Sequence, residues 1–435
     1  MQSSRSFLAL QIVAILTMIA CSAAIADEKR DAQIAKATEA LREKLVATRR
    51  DVHEHPELSN REERTSQLVA ERLRALGFDE VKTGIAKHGV VALVKGGKPG
   101  PVVAYRADMD ALPITESNNV PYKSHSPGVM HACGHDAHTA IGLGVAEVLS
   151  KMRDQIPGSV KFLFQPAEEG APAGEEGGAV FMIKEGALEN PKPAAIFAMH
   201  VSPGLSVGTI GYRSGPAQCS IDTFTITIRG KVPFAGTPEA GVDSIVVAAQ
   251  CVTALQTIKS RRLNSFEPIV LTIGSVHGGK GPFNTPEEVK LDGCLRTFSE
   301  DIRKQTLKLI RETLTGTTEA YGAKFDFENR SVTAVVVNNP DLVAGALPAL
   351  RRTVGETNLV EMPKWMGGED FSYYGQIVPG FLFRLGVGNK TKGITSDIHT
   401  PTFNIDEDSL SIGVKAMSMV LLDYLHQHAG AVPPR

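Results

Sequence analysis

Lys161-Phe162-Leu163-Phe164-Gln165-Pro166-Ala167-Glu168-Glu169 is the stretch on which the fold turns. A short apolar run from Lys161 to Phe164 reads as a strand, a proline stops it, and two carboxylates follow at once. The same grammar recurs along the chain. Val90 to Val94 and Val102 to Tyr105 are short β-branched runs bounded by Gly and Pro, and Asp108 and Asp110 lie just past the second. Ala194 to Met199 is a further strand with His200 at its end, and Gly380 to Leu385 is followed by a loop that carries His399. Helical spacing appears between these runs: Glu62 to Leu76 ends at Gly77, and Ile141, Val145, Val148, Leu149 and Met152 mark the buried face of a helix over Thr139 to Met152. Strands alternating with helices predict an α/β domain with a mostly parallel central sheet flanked by helices. Ligands bind such a sheet beyond the carboxyl ends of its strands, and four strands here deliver acids or histidines to that edge.

The segment leading into the helix is Met130-His131-Ala132-Cys133-Gly134-His135-Asp136-Ala137-His138, which packs a thiol, a carboxylate and several imidazoles together. Cys133 and His135 flank a glycine that lets the backbone turn both toward one point. A helix N-terminus lowers a nearby thiol pKa, so Cys133 is placed to be a thiolate ligand. His53-Glu54-His55-Pro56-Glu57-Leu58 also resembles a metal site, but Pro56 stiffens it and its polar residues suit the caps of the helices on either side. A structural role is expected there. A further helix is predicted from Ala32 to Arg50.

At 435 residues the chain is long for one domain, so two units are expected. Hydrophobic content of 42% and charged content of 22% are ordinary for a globular protein. A formal net charge of -2 without blocks of like charge gives no electrostatic footprint for nucleic acid or anionic lipid, and both are excluded as main partners. Arg5, the apolar stretch from Phe7 to Ala20 and the small-x-small run Ala24-Ile25-Ala26 predict a cleaved signal peptide over residues 1–26 rather than a membrane span, hence a periplasmic or secreted protein. A lipoprotein signal with Cys21 as the lipidated residue is the competing reading, and Met18 fits it poorly. Cys133, Cys219, Cys251 and Cys294 remain in the mature chain, too scattered for a disulfide framework.

From about Ser220 to Val337 the texture changes. Strands over Ile221 to Arg229, Pro268 to Val276, Val289 to Phe298 and Phe325 to Val337, with helices over Asp243 to Ser260 and Ile302 to Tyr321, give the order βαββαβ of the ferredoxin-like split unit. Few candidate ligands lie there. It reads as a second domain, 220–337, inserted into a first that comprises 27–219 and 338–435.

Cys133, His135, Glu169, His200 and His399 are more ligands than one tetrahedral ion with an open position needs. Two ions sharing a carboxylate and a water, about 3.5 to 4 Å apart, fit better. Of Glu168 and Glu169, one can ligate while the other takes a proton from the bridging water. Metal-assisted hydrolysis follows. Cys and His ligands suit Zn, and the carboxylate also suits Mn, with Co or Ni compatible. No Walker, dinucleotide or Gly-x-Ser-x-Gly fingerprint supports phosphoryl transfer, hydride transfer or serine hydrolysis.

Met130 to His138, Gln165-Pro166-Ala167-Glu168-Glu169, Met199-His200, Gly368-Glu369-Asp370-Phe371 and His399-x-Pro401-x-Phe403, in this order, resemble the amidohydrolases related to hippurate hydrolase, N-acyl-amino-acid hydrolase and auxin-conjugate hydrolase, within the carboxypeptidase G and aminoacylase group. The resemblance covers essentially the whole mature chain. It implies that the insert is a lid or dimerisation domain, with a homodimer formed through it. It also implies that Cys133, His135, Glu169, His200 and His399 ligate two metals, that Glu168 is the base, and that Asp108 and Asp110 form the family's acidic pair, Asp110 orienting a ligand. His138 is grouped with these as a supporting residue. The insert departs from the pattern: Gly230-Lys231-Val232-Pro233-Phe234 puts Phe234 where relatives carry a histidine, Glu239 follows Pro238, and Gly281 and Phe283 replace an Arg and an Asn, with Asn284 one place away. The resemblance thus implies hydrolysis of an N-acyl amino acid or similar small conjugate. Competing readings are a dipeptidase or carboxypeptidase on the same site, and a metal-bound binding protein impaired by loss of the histidine at 234.

Overall fold

Lys98–Asp108, Pro157–Gln165, Ala195–Ser206 and Gly380–Gly388 run parallel to one another at the centre of an eight-stranded sheet. These are the four strands whose ends carry the candidate residues. The computed structural model describes residues 27–234 and 236–430; residues 1–26, with the export signal and Cys21, lie outside the described residues. Gly89–Lys95 and Glu80–Ile85 add antiparallel strands on one side, and Ile210–Tyr212 and Leu359–Glu361 complete the other.

Both faces of this sheet are covered, which is why its central strands read as continuous apolar runs rather than as alternation. Val103, Tyr105, Phe162, Phe164, Phe197, Phe381 and Phe383 join the larger core with Ile141 and Val145 of helix His135–Ser150 and Val414, Met417 and Leu421 of helix Asp408–Gln427. The intervening residues Ala104, Leu163, Ile196, Ala198 and Leu382 point the other way, against Met182, Phe371 and Tyr374. Three boundaries differ from the expected ones. The run expected from Ala32 to Arg50 is two helices, 27–39 and Arg42–Glu54, broken at Ala40 and Leu41. The strand of His200 does not stop there but continues to Ser206, because Gly380–Gly388 keeps pairing with it past Arg384 opposite His200. The extended run from Phe325 splits into Lys324–Thr333 and Val336–Asn338.

The split has a tertiary cause. Lys324–Thr333 is an edge strand of a separate four-stranded antiparallel sheet, whereas Val336–Asn338 leaves it to pair with Gly215–Gln218. That separate sheet consists of Ser220–Arg229, Ile269–His277, Glu288–Thr297 and Lys324–Thr333 in the spatial order fourth, first, third, second. Helices Ser244–Thr257 and Glu300–Ala320 pack on it around Ile226, Ile228, Leu255, Leu291, Ile310 and Leu314. Each helix is capped as its sequence suggests, Asp243 accepting from the Ile245 and Val246 amides and Ser299 from that of Ile302. Among the described residues no helix is long and apolar enough to cross a membrane. Their four cysteines are all free thiols.

Candidate metal centre

Gly134 holds φ at 87°, and helix His135–Ser150 starts at the next residue. A Cβ at position 134 would come within 2.5 Å of the Val201 side chain, so glycine is required by both backbone and space. The turn sends Cys133 and His135 into one pocket. Cys133 Sγ lies 3.4 Å from His200 Nε2 and 3.3 Å from His399 Nε2. His135 Nε2 is 3.9 Å from Glu168 Oε2 and from Glu169 Oε1, and His399 Nε2 is 3.3 Å from the same Glu169 oxygen. Ala167 and His399 both sit in the left-handed region without being glycine, at φ 55° and 60°. Such strain persists where the surroundings over-determine it, and here it turns Glu168, Glu169 and the His399 ring inward.

The far side of each ring is already committed. His135 Nδ1 donates to Asp110 Oδ1 at 3.1 Å, while Asp110 Oδ2 accepts from Ser59 Oγ at 2.7 Å and from the Glu169 amide at 3.0 Å. His200 Nδ1 donates to the Val201 carbonyl at 2.7 Å. Both rings therefore turn Nε2 toward the cluster, the nitrogen a metal takes once it is free of its proton. His138 differs: Nδ1 donates to Asp108 at 2.5 Å and Nε2 accepts from the Val201 amide at 2.9 Å, so it braces the pocket and has no nitrogen to spare. His131 faces His53, with ring centroids 6.3 Å apart, and stays outside the cluster.

A cation fits what remains. His135 Nε2 and Glu169 Oε1 are buried without a hydrogen-bond partner among the described residues, a costly arrangement unless something positive lies between them. Burial works against a charged ring, yet Asp108 and Asp110 outweigh it and push His135 up to about 10, so without a cation its Nε2 holds a proton that an arriving ion displaces. Burial and the Arg384 charge push His200 well down, leaving it neutral. Without a metal, burial, with Glu169 and Glu168 beside it, pushes the Cys133 thiol well up despite its place at the helix N-terminus. Deprotonation of Cys133 must accompany arrival of a positive ion. Burial, then Glu369 and Glu169, likewise push Glu168 well above the usual carboxylate range.

Several participants carried no assigned role in the sequence. Arg106 is 1% exposed and donates to Asp108 at 2.5 Å, to Glu369 at 2.9 Å and to Asp370 at 2.8 Å. It neutralises the acids behind Glu168, whose Oε1 accepts from the Asp370 amide at 3.4 Å. Glu62 accepts from the Ala167 amide at 2.8 Å and fixes the turn before Glu168; burial and the neighbouring Asp110 push it up to about 8. The only sequence signal for Arg106 was its place two residues before Asp108, on the same face of the strand.

His53 lies outside the cluster, buried between Asp136 at 2.8 Å and Glu116 at 3.2 Å, and Glu57 accepts from the Arg64 and Thr65 amides at the start of helix Glu63–Ala75. That segment is structural, as its proline and caps suggested. Phe234 and Asn284 are not brought to the cluster. Phe234 is 75% exposed on the loop after Ser220–Arg229, and Asn284 is exposed on the loop before Glu288–Thr297.

Residues 104–423 match the family described as peptidase family M20/M25/M40. The chain is 38% identical over 376 residues to an N-acetylcysteine deacetylase of Bacillus subtilis, covering 86% of this chain and 95% of that one. It is 36% identical over 382 residues to thermostable carboxypeptidase 2 of Saccharolobus solfataricus, covering 87% and 95%. The solved structure of a Bacillus subtilis protein described as a dinuclear metal binding peptidase of the M20 family superposes with a TM-score of 0.78 at 34% identity, covering 89% of this chain and 99% of that one. Converging ligand atoms, a buried acid of raised proton affinity, and these likenesses agree: the chain belongs to peptidase family M20/M25/M40 and is a metal-dependent hydrolase of amide or peptide bonds.

Proposed function

We propose that this protein hydrolyses the amide bond of N-acyl amino acids or similar small conjugates, with Cys133, His135, Glu169, His200 and His399 holding two divalent ions and Glu168 carrying the proton. The observation that carries this reading is the facing pair of buried, unpartnered atoms, His135 Nε2 and Glu169 Oε1, with Glu168 beside them. Such ions, Zn or Mn by the chemistry of the ligands, supply a Lewis acid for the scissile carbonyl and acidify water. Glu168 accepts the proton of the attacking water and delivers it to the leaving amine. An ordinary carboxylate holds a proton too weakly for the second task, and burial beside Glu369 and Glu169 corrects that. Asp110 fixes the His135 ring, His138 and Asp108 brace the wall behind it, and Arg106 donates to Asp108, Glu369 and Asp370 behind Glu168.

The likeness to the deacetylase supports the acyl-amino-acid reading. The likeness to the carboxypeptidase supports a second, a peptidase at the same site. Hydrolysis rates on matched N-acetyl amino acids and free dipeptides separate the two. Elemental analysis of the purified mature chain tests the first statement: two equivalents of metal are expected, and at most one after supplementation would refute it. We further read 220–337 as a lid or dimerisation unit and residues 1–26 as an export signal. Sizing of the mature chain and N-terminal sequencing of the exported protein test these.

A further inference from the structure

Arg384 lies directly across from His200 in the parallel pairing of Gly380–Gly388 with Ala195–Ser206, so both side chains leave the same face of the sheet. Its Nη2 is buried without a hydrogen-bond partner among the described residues. The guanidinium lies over the indole of Trp365, 4.8 Å from the ring centroid. Stacking of this kind covers a face of the guanidinium and leaves its in-plane N–H edge available. Beside it, Gln218 is 2% exposed, and neither its Nε2 nor its Oε1 has a hydrogen-bond partner among the described residues. Gln218 belongs to the strand pair Gly215–Gln218 and Val336–Asn338, and it bridges to Trp365.

Arg384, Trp365 and Gln218 line one cavity of ≈ 260 Å³, which also reaches Val201 and Ile398, the neighbours of His200 and His399. Buried N–H groups of an arginine and an amide are costly unless something accepts from them. What this pair lacks is an anion with a flat, two-oxygen edge. A carboxylate satisfies the guanidinium fork in bidentate fashion and takes the Gln218 N–H as well, leaving Gln218 Oε1 for an N–H of the same molecule. A cavity of this size suits an amino-acid-sized group rather than a longer peptide. Arg213, also in the lining, is tied to the Pro216 and Met362 carbonyls, and the Asp397 carboxylate is exposed to solvent.

We propose that Arg384, Trp365 and Gln218 form a carboxylate subsite that takes the free carboxylate of the amino-acid half of the substrate and so sets the scissile amide against the metal centre. The assignment to the amino-acid half rests on the function proposed above; the carboxylate site itself rests on the cavity. Arg384 is here a binding and specificity residue, acting before the chemistry.

The test uses three matched ligand sets on the metal-loaded full mature chain: N-acetyl amino acids, the same compounds with the carboxylate capped as an amide, and N-succinyl alkylamines that carry the carboxylate on the acyl half. Wild type should favour the first set. Arg384→Met should raise its KM by about tenfold to a hundredfold, as expected for a lost charge-assisted bond, with kcat little changed and the capped set unaffected. Gln218→Met replaces an unpartnered buried amide with an apolar isostere, so it should raise the same KM without lowering the thermal midpoint. Calorimetric titration of the free amino acids and their amides gives a readout independent of turnover: the free acid should bind wild type better than the amide, and Arg384→Met should abolish the difference. A loss confined to the succinyl set would overturn the assignment to the amino-acid half. Equal binding of acid and amide by wild type would overturn the subsite. Acid-selective binding that needs Arg384, in a protein that hydrolyses none of the three sets, would keep the subsite and reject the proposed reaction.

Discussion

At the carboxyl ends of the parallel strands Arg106, Asp108, Asp110 and Glu369 are at most 2% exposed, whereas the insert's ion pairs of Arg229 with Glu288 and Asp326 have side chains 40% to 57% exposed. Apolar residues show the reverse. Phe234, Phe266 and Phe283 of the insert are 75%, 92% and 77% exposed, while Phe162, Phe197, Phe381 and Phe383 of the main sheet are at most 1% exposed. Burying ionised groups is costly and is sustained only when each is paired or hydrogen-bonded. The main sheet accepts that cost around a cation site. The insert, a conventional core under one layer of helices, does not. Its one deeply buried acid, Asp222, is matched by Arg303 at 2.6 Å. Chemistry should therefore be lost by changes in the first region, and the second should respond only where its exposed aromatics meet something.

Glu168→Gln bears hardest on this contrast: turnover should fall about a hundredfold to ten-thousandfold with fold and metal content retained. Near wild-type kcat on N-acetyl amino acids would move the proton carrier elsewhere. Arg106→Met comes next. It strands Asp108, Glu369 and Asp370, and loss of one partner from a buried charge network costs about 3 to 5 kcal/mol, readable as a lower denaturant midpoint. Stability equal to wild type would mean the buried charges are not balanced as described. Metal removal follows. Chelation should lower the thermal midpoint, and ion restored at a hundredfold over its Kd should return about 2.7 kcal/mol. Cys133→Ser should need more metal for the same recovery, since a hydroxyl is a poorer ligand than a thiolate.

Changes in the insert should be smaller. Phe234→His, at an exposed position, should leave the thermal midpoint in place and raise kcat on unactivated N-acyl amino acids relative to activated esters. An unchanged ester-to-amide ratio would show that this loop never reaches the reaction centre. Arg229→Ala, in a solvated ion pair, should alter neither stability nor kinetics.

Periodicity and turn chemistry alone determined much of this protein. The apolar runs became the central strands, Gly134 marked the turn into helix His135–Ser150, and the order βαββαβ marked the separate sheet, because each depends on residues near one another in the chain. Cys133, His135, Glu168 and Glu169 were legible for the same reason: acids directly after a strand, and a thiol and an imidazole around a glycine at a helix start, are local patterns. Tertiary structure alone decided the rest. Arg106 looked like any arginine in a strand until Glu369, 263 residues away, was folded against it. The thiol of Cys133 follows its burial and the carboxylates Glu169 and Glu168 brought beside it rather than its own helix N-terminus. Gln218 and Arg384 line one cavity only because the strand pair Gly215–Gln218 and Val336–Asn338 folds beside Gly380–Gly388. Proton affinity and unmet hydrogen bonds depend on distances between groups remote in sequence, and only the folded chain sets those distances.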